Sequence, residues 1–170
     1  MFSIAQITED SLMESDGVGL IVWFQGCRGL CEGCQNPELH SFQGGLETDV
    51  SIFDSYDLSW VDNFVLLGGE PLDQSKGVVE VAQYAHEKGK KVWMYTGYSF
   101  EEIEQDVLNN VDVIIDGRYM KEYESNNIRY RGSSNQRVLI KINGQWEDKT
   151  NDIGLADNVF KEVKVNISKE

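Results

Sequence analysis

The chain has 170 residues, 41% of them hydrophobic and 26% charged, and 29 acidic against 15 basic side chains give it a formal charge of −14. That composition describes an ordinary folded chain, and residues 1–170 read as one domain with no repeat or low-complexity linker. The acidic excess repels phosphate backbones and argues against a nucleic-acid partner. No stretch approaches the roughly twenty apolar residues of a membrane span. Residues 1–10 lack the basic region and apolar core of a signal peptide, so a reducing cytoplasm is the expected compartment.

Residues 2–7 read as a short strand, followed by a polar loop through Asp16 and Gly17. Residues 18–24 form a continuous apolar run, the pattern of a strand covered on both faces. At its exit stand Cys27, Cys31 and Cys34, the chain's three cysteines. Residues 47–56 are ambiguous and fit a short helix. Residues 63–67 give a second buried strand, ending at Gly68-Gly69. Asp73 is placed to cap a helix carrying Val78, Val79, Ala82, Ala85 and His86, and Gly89 stops it. The Lys88-Gly89-Lys90-Lys91 run is a helix end meeting a strand start, too short to be a basic patch. Residues 92–96 are a third strand. Ser99-Phe100-Glu101-Glu102 is a capping box opening a helix with Ile103, Val107 and Leu108 on one face. Residues 111–115 form a fourth strand ending at Asp116-Gly117, and residues 137–142 and 163–165 complete the strand candidates.

Strands alternating with helices imply parallel βαβ units with right-handed crossovers. The Cys27 loop, Gly68-Gly69-Glu70-Pro71, Thr96-Gly97 and Asp116-Gly117 all follow strands, and in a (β/α) barrel such positions share the mouth where active sites form. A full barrel takes about 250 residues, so an α/β fold with an incomplete, laterally open (β/α) barrel of about five or six units and mostly parallel strands is expected.

Three thiolates within eight residues suit an iron–sulfur cluster, and on a [4Fe-4S] cube they leave one iron open for chemistry. A structural zinc with His40 as fourth ligand is the alternative, although zinc ligands more often come as two separated pairs. Gly68-Gly69-Glu70-Pro71 by itself also fits an ordinary turn between strand and helix.

The cysteine spacing followed by Gly68-Gly69-Glu70-Pro71 resembles the radical S-adenosylmethionine (SAM) enzymes. Asp16-Gly17-Val18-Gly19, Gln25-Gly26-Cys27, Cys34-Gln35-Asn36-Pro37-Glu38, Tyr95-Thr96-Gly97-Tyr98, Asp116-Gly117-Arg118 and residues 131–137 resemble one branch of it, the activators of anaerobic ribonucleoside-triphosphate reductase. This likeness runs from about residue 14 to residue 140. It implies that Cys27, Cys31 and Cys34 hold the [4Fe-4S] cluster, and that the open iron is chelated by the amino and carboxylate groups of SAM. Gly68, Gly69 and Glu70 are then the site of the SAM amino group, and Gly33 and Gln35 touch SAM through backbone. Gly33 stands where many superfamily members carry an aromatic residue. Thr96 and Asp116 are further candidates for ribose or carboxylate contacts, and residues 131–137 for the methionyl carboxylate, the reductase, or simply a solvated loop.

The resemblance implies that one electron from the cluster cleaves SAM to methionine and a 5′-deoxyadenosyl radical, which takes a hydrogen from a glycine of the reductase large subunit. With all thiols used by one cluster, an external donor such as flavodoxin must supply the electron. Two rival functions remain open: a small-molecule radical SAM enzyme of the 7-carboxy-7-deazaguanine synthase type, and a non-catalytic zinc-binding interaction module.

Overall fold

The computed structural model describes residues 1–153. Their strands join in a single open sheet of eight, ordered β3-β1-β2-β4-β5-β6-β7-β8. β1 (Phe2–Ser11) runs antiparallel to both β2 (Gly19–Phe24) and β3 (Leu46–Thr48). β2, β4 (Asn63–Gly68), β5 (Lys91–Tyr95) and β6 (Val113–Asp116) are mutually parallel neighbours. β7 (Arg137–Ile142) turns back against β6, and β8 (Gln145–Asp148) turns back against β7.

This overturns the expected (β/α) barrel with mostly parallel strands. Three pairings at the centre are parallel and the four toward the edges are antiparallel. Parallel neighbours need a crossover, usually a helix, and the described residues supply two: α1 (Ser75–Glu87) between β4 and β5, and α2 (Gln105–Asn110) between β5 and β6. The path from β2 to β4 is made instead by β3 and the 3₁₀ turns Val50–Ser55 and Leu58–Trp60. Between β6 and β7 the chain has the turn Lys121–Tyr123 and an isolated antiparallel bridge between Glu124 and Ser133, and it returns antiparallel. β7 and β8 are joined by Asn143-Gly144, both at positive φ (51° and 80°), the left-handed pair that a two-residue hairpin requires.

Smaller expectations shift as well. The short helix expected at residues 47–56 is β3 plus a 3₁₀ turn. The capping box at Ser99 is present, with the Glu102 carboxylate accepting from the Ser99 amide at 2.8 Å, but it closes the 3₁₀ turn Phe100–Glu102 and α2 begins after it. Glu70 rather than Asp73 supplies the cap: its carboxylate accepts from the Leu72 amide at 3.0 Å, opening the turn Pro71–Gln74 that leads into α1. The strand expected at 163–165 lies outside the described residues.

Alternation along the strands sorts the side chains onto two faces. Leu20, Val22, Phe24, Phe64, Leu66 and Met94 meet Val78, Val81 and Ala82 of α1 and Val107 of α2 in the main core. Ile21, Val65, Trp93, Val113, Ile115 and Val138 form a second cluster on the opposite face. There Trp23, Leu67, Tyr95 and Tyr130 are only partly covered, and over them the functional cavity opens.

Candidate functional site

The parallel register of β2, β4, β5 and β6 brings their C-terminal ends into line. The segments leaving those ends line one cavity of about 960 Å³, at the upper end of the roughly 300–1,000 Å³ of small-molecule sites. Cys27, Cys31, Cys34, Gln35, Gly68, Gly69, Glu70 and Thr96 all stand on its wall. Gly33 and Asp116 do not.

The cysteine loop is fastened at its root. The Gly26 amide donates to the Leu39 carbonyl (2.9 Å), the Cys27 amide to the His40 carbonyl (3.1 Å), and the Glu70 amide to the Gly26 carbonyl (2.8 Å). Beyond the root the backbone folds around the sulfurs. The Gly29 amide points at Cys27 Sγ (3.2 Å), the Asn36 amide at Cys34 Sγ (3.4 Å), and Cys34 N–H closes a turn onto the Cys31 carbonyl (3.2 Å). Leu30 and Gly33 take positive φ (43° and 73°) to allow that wrapping. All three thiols are free and partly buried. Burial pushes the Cys27 thiol up, and the charges of Glu70 and Asp73 add to this against the lowering by the Gly29 and Leu30 amides. A bound cation reverses such a shift by deprotonating its thiol ligands outright.

Three thiols on one loop, two of them met by backbone amides and all on the wall of one cavity, fit the soft, hydrogen-bonded sulfur ligation of an iron–sulfur cluster. His40 lines the same cavity, and its buried Nε2 has no partner among the described residues.

On the same cavity wall, Glu70 is 5% exposed and fully oriented. Oε1 accepts from Leu72 N–H (3.0 Å) and the Thr96 hydroxyl (2.7 Å), and Oε2 accepts from Gly97 N–H (2.8 Å). A carboxylate has about four acceptor positions, so one remains free on Oε2. Burial pushes its pKa up to about 6 despite those donors, with the Asp73 charge contributing. A cationic ligand group at the free position would restore the charged form.

The glycines before Glu70, both on the cavity wall, also pack where a side chain would not fit. A Cβ on Gly69 would lie 2.2 Å from the Gly26 carbonyl oxygen, and one on Gly68 (φ +122°) 2.5 Å from the Phe24 amide nitrogen. They let the β4 exit lie directly on the root of the cysteine loop. Thr96 spends its hydroxyl on Glu70. Asp116, 1% exposed, holds Phe100 N–H (2.7 Å) and the Arg137 Nε (3.0 Å), while Glu101 takes the outer side of that guanidinium (3.0 Å). Burial lowers the Arg131 pKa; its guanidinium reaches the Gln136 and Thr150 carbonyls (3.3 and 3.4 Å) from the cavity wall. Gln136 clasps the loop, accepting from Gly132 N–H and donating to the Gly117 carbonyl, each at 2.9 Å.

Three groups on the wall escaped sequence reasoning. Arg118 donates to the Gly29 carbonyl, Tyr98 reaches Asp73 (3.0 Å), and Tyr130 stacks edge-on to Trp93 with centroids 4.9 Å apart. Asp116-Gly117-Arg118 and Tyr95-Thr96-Gly97-Tyr98 carried a signal for the first two, without their contacts. Tyr130 is an isolated aromatic in a loop, whose position depends on tertiary contacts.

Comparison with known proteins agrees with this chemistry. Residues 13–139 match the family model described as a 4Fe-4S single cluster domain. An anaerobic ribonucleoside-triphosphate reductase-activating protein of Enterobacteria phage T4 is 32% identical over 141 residues, covering 77% of this chain and 89% of that protein. A protein of the same description from Pasteurella multocida is 29% identical, covering 75% and 90%. A putative glycyl-radical enzyme activating enzyme of Methanocaldococcus jannaschii is 28% identical, covering 72% of this chain and 53% of its own length.

Proposed function

The chain belongs to the 4Fe-4S single cluster domain family and to the anaerobic ribonucleoside-triphosphate reductase-activating proteins, and on that premise we propose that it installs a glycyl radical on an anaerobic ribonucleoside-triphosphate reductase, at the expense of SAM. The observation that carries the reading is the convergence of three free thiols and the oriented Glu70 carboxylate on one cavity at the ends of four parallel strands.

Cys27, Cys31 and Cys34 would hold the cluster. When bound, it supplies the electron that cleaves a carbon–sulfur bond of SAM, and the carbon radical released takes a hydrogen atom from a glycine of the reductase. The remaining work belongs to this chain's own residues. The free acceptor position on Glu70 Oε2 takes the SAM ammonium group, a charge-assisted hydrogen bond in a buried setting. Thr96 and the Gly97 amide fix that carboxylate so that it need not reorganise on binding. Gly68 and Gly69 keep the two halves of the cavity within reach of one ligand. Trp23, Leu67, Tyr95 and Tyr130 give the cavity an apolar wall against which a bound ligand is shielded from water. The chain's other side chains include no further thiol, which supports an external one-electron donor of the flavodoxin kind. Among the described residues no helix is long and apolar enough to cross a membrane.

The test is anaerobic. Protein reconstituted with iron and sulfide, mixed with its reductase, SAM and a low-potential reductant, is expected to yield a glycyl-radical doublet in the electron paramagnetic resonance spectrum of the reductase. SAM cleavage without any reductase radical, together with turnover of a free small molecule, would refute the proposal.

A further inference from the structure

Asp73 has entered so far only as a charge acting on Cys27 and Glu70 and as the partner of Tyr98, yet its carboxylate also holds the cysteine loop. Its side chain is 1% exposed. Oδ2 accepts from the Arg28 backbone amide at 2.8 Å, and Oδ1 accepts from the Tyr98 hydroxyl at 3.0 Å. The Arg28 guanidinium lies 3.4 Å away but is 72% exposed, so that ion pair carries little weight. The backbone contact is the consequential one, because Arg28 follows Cys27 directly.

Tyr98 continues the chain of contacts. Its amide donates to Thr96 Oγ1 (3.1 Å), and the Thr96 hydroxyl donates to Glu70 Oε1 (2.7 Å). Hydrogen bonds at the two ends of Tyr98, its hydroxyl on Asp73 and its amide on Thr96, thus tie the cysteine loop to the Glu70 carboxylate through one tyrosine. We infer that Asp73 is a positioning residue that fixes the Cys27–Arg28 peptide for metal binding and, through Tyr98 and Thr96, couples the order of the cysteine loop to the orientation of Glu70. The consequence for metal binding rests on the iron–sulfur reading of the loop; the hydrogen bonds exist without the metal. A carboxylate is suited to this because it accepts from two donors on opposite sides at once, and buried charged acceptors hold their donors more firmly than neutral ones.

The test compares Asp73→Ala and Tyr98→Phe with the parent protein, metal-free and loaded. In metal-free Asp73→Ala the Arg28 amide is expected to exchange its hydrogen roughly tenfold faster or more, as loss of a bond to a charged acceptor implies. Amides in β4 and α1 keep their parental rates. Loaded Asp73→Ala is expected to lose iron to a chelator about tenfold faster, the scale on which groups behind metal ligands act. Tyr98→Phe leaves the Arg28 amide protected and weakens SAM binding about fivefold, as one lost hydrogen bond implies. Parental exchange at Arg28 and parental iron loss in Asp73→Ala overturn the inference. So does equal loosening throughout β4 and α1, since Asp73 would then support the fold at large. If Asp73→Ala fails to fold, parental SAM affinity in Tyr98→Phe overturns the coupling. Failure of the parent protein to take up iron defeats the iron–sulfur reading instead, and the metal-free exchange result then stands by itself.

Discussion

The cysteine loop and the Glu70 turn meet at the wall of one cavity and are built on opposite plans. The Glu70 carboxylate is buried and held by three donors from two strand ends. The thiols are partly exposed, and beyond its root the loop is shaped by two amide–sulfur contacts, one turn, two left-handed residues and two ties to the rest of the chain, from Asp73 to the Arg28 amide and from Arg118 to the Gly29 carbonyl. Orientation on the Glu70 side comes with folding, so a ligand finds it ready. On the cysteine side the metal itself contributes order when it binds, and binding free energy becomes folding free energy of the loop. One site thus combines a finished half and a half completed by its cofactor.

The largest expected effect breaks the comparison at the cysteines. Replacing any of Cys27, Cys31 or Cys34 by Ser should take the reconstituted protein from about four irons per chain to essentially none, by metal analysis and loss of the brown absorption. The thermal midpoint of the metal-free protein should scarcely move, because these partly exposed side chains bury little surface. A large drop in that midpoint would mean the thiols support the fold itself.

Gly69→Ala probes the seam between the halves. The added methyl would lie 2.2 Å from the Gly26 carbonyl, so strand end and loop root must part, at about 3 kcal/mol, the upper part of the usual overpacking range. Urea unfolding measures it, and a change below about 0.5 kcal/mol, ordinary for a surface site, would show that the seam yields freely.

The smallest effect sharpens the account of the finished half. Burial holds the Glu70 pKa at about 6 in the folded chain, above its ordinary value of 4.5. The folded state therefore binds this proton more tightly than the unfolded one. Stability from this group is full below about pH 4.5 and is lost as pH rises through about 6, amounting to about 2 kcal/mol. Other acids, such as Asp49 and Asp148, whose pKa values are lowered mainly by side-chain hydrogen bonds to Ser51 and Thr150, act in the opposite sense at lower pH. The clean measure is the difference between parent and Glu70→Gln from pH 5 to 7.5, where the parent should lose ground to the variant. A flat difference would mean that water reaches the carboxylate.

What the sequence disclosed follows from what local pattern encodes. The thiols and Glu70 were legible because each is a motif at the end of an apolar run, and the alignment of those ends needed only parallel strands. The edges of the sheet were misread because alternation and hydrophobicity do not record strand direction. Residues 137–142 read the same way in either orientation. Two signals did exist: residues 117–136 contain no helical periodicity with which to cross over, and Asn143-Gly144 is a hairpin turn. Asp73 was misread for a related reason. An acid before a helix fits a cap, and nothing local says that its acceptors face Arg28 and Tyr98.

A sheet that does not close has two rims. Here, among the described residues, they are Leu46–Thr48 and Gln145–Asp148, strands of three and four residues that carry Glu47, Glu147 and Asp148. A second molecule attempting to extend the sheet would gain few backbone hydrogen bonds and would set like charges side by side. Short, charged rims of this kind are poor templates for edge-to-edge pairing.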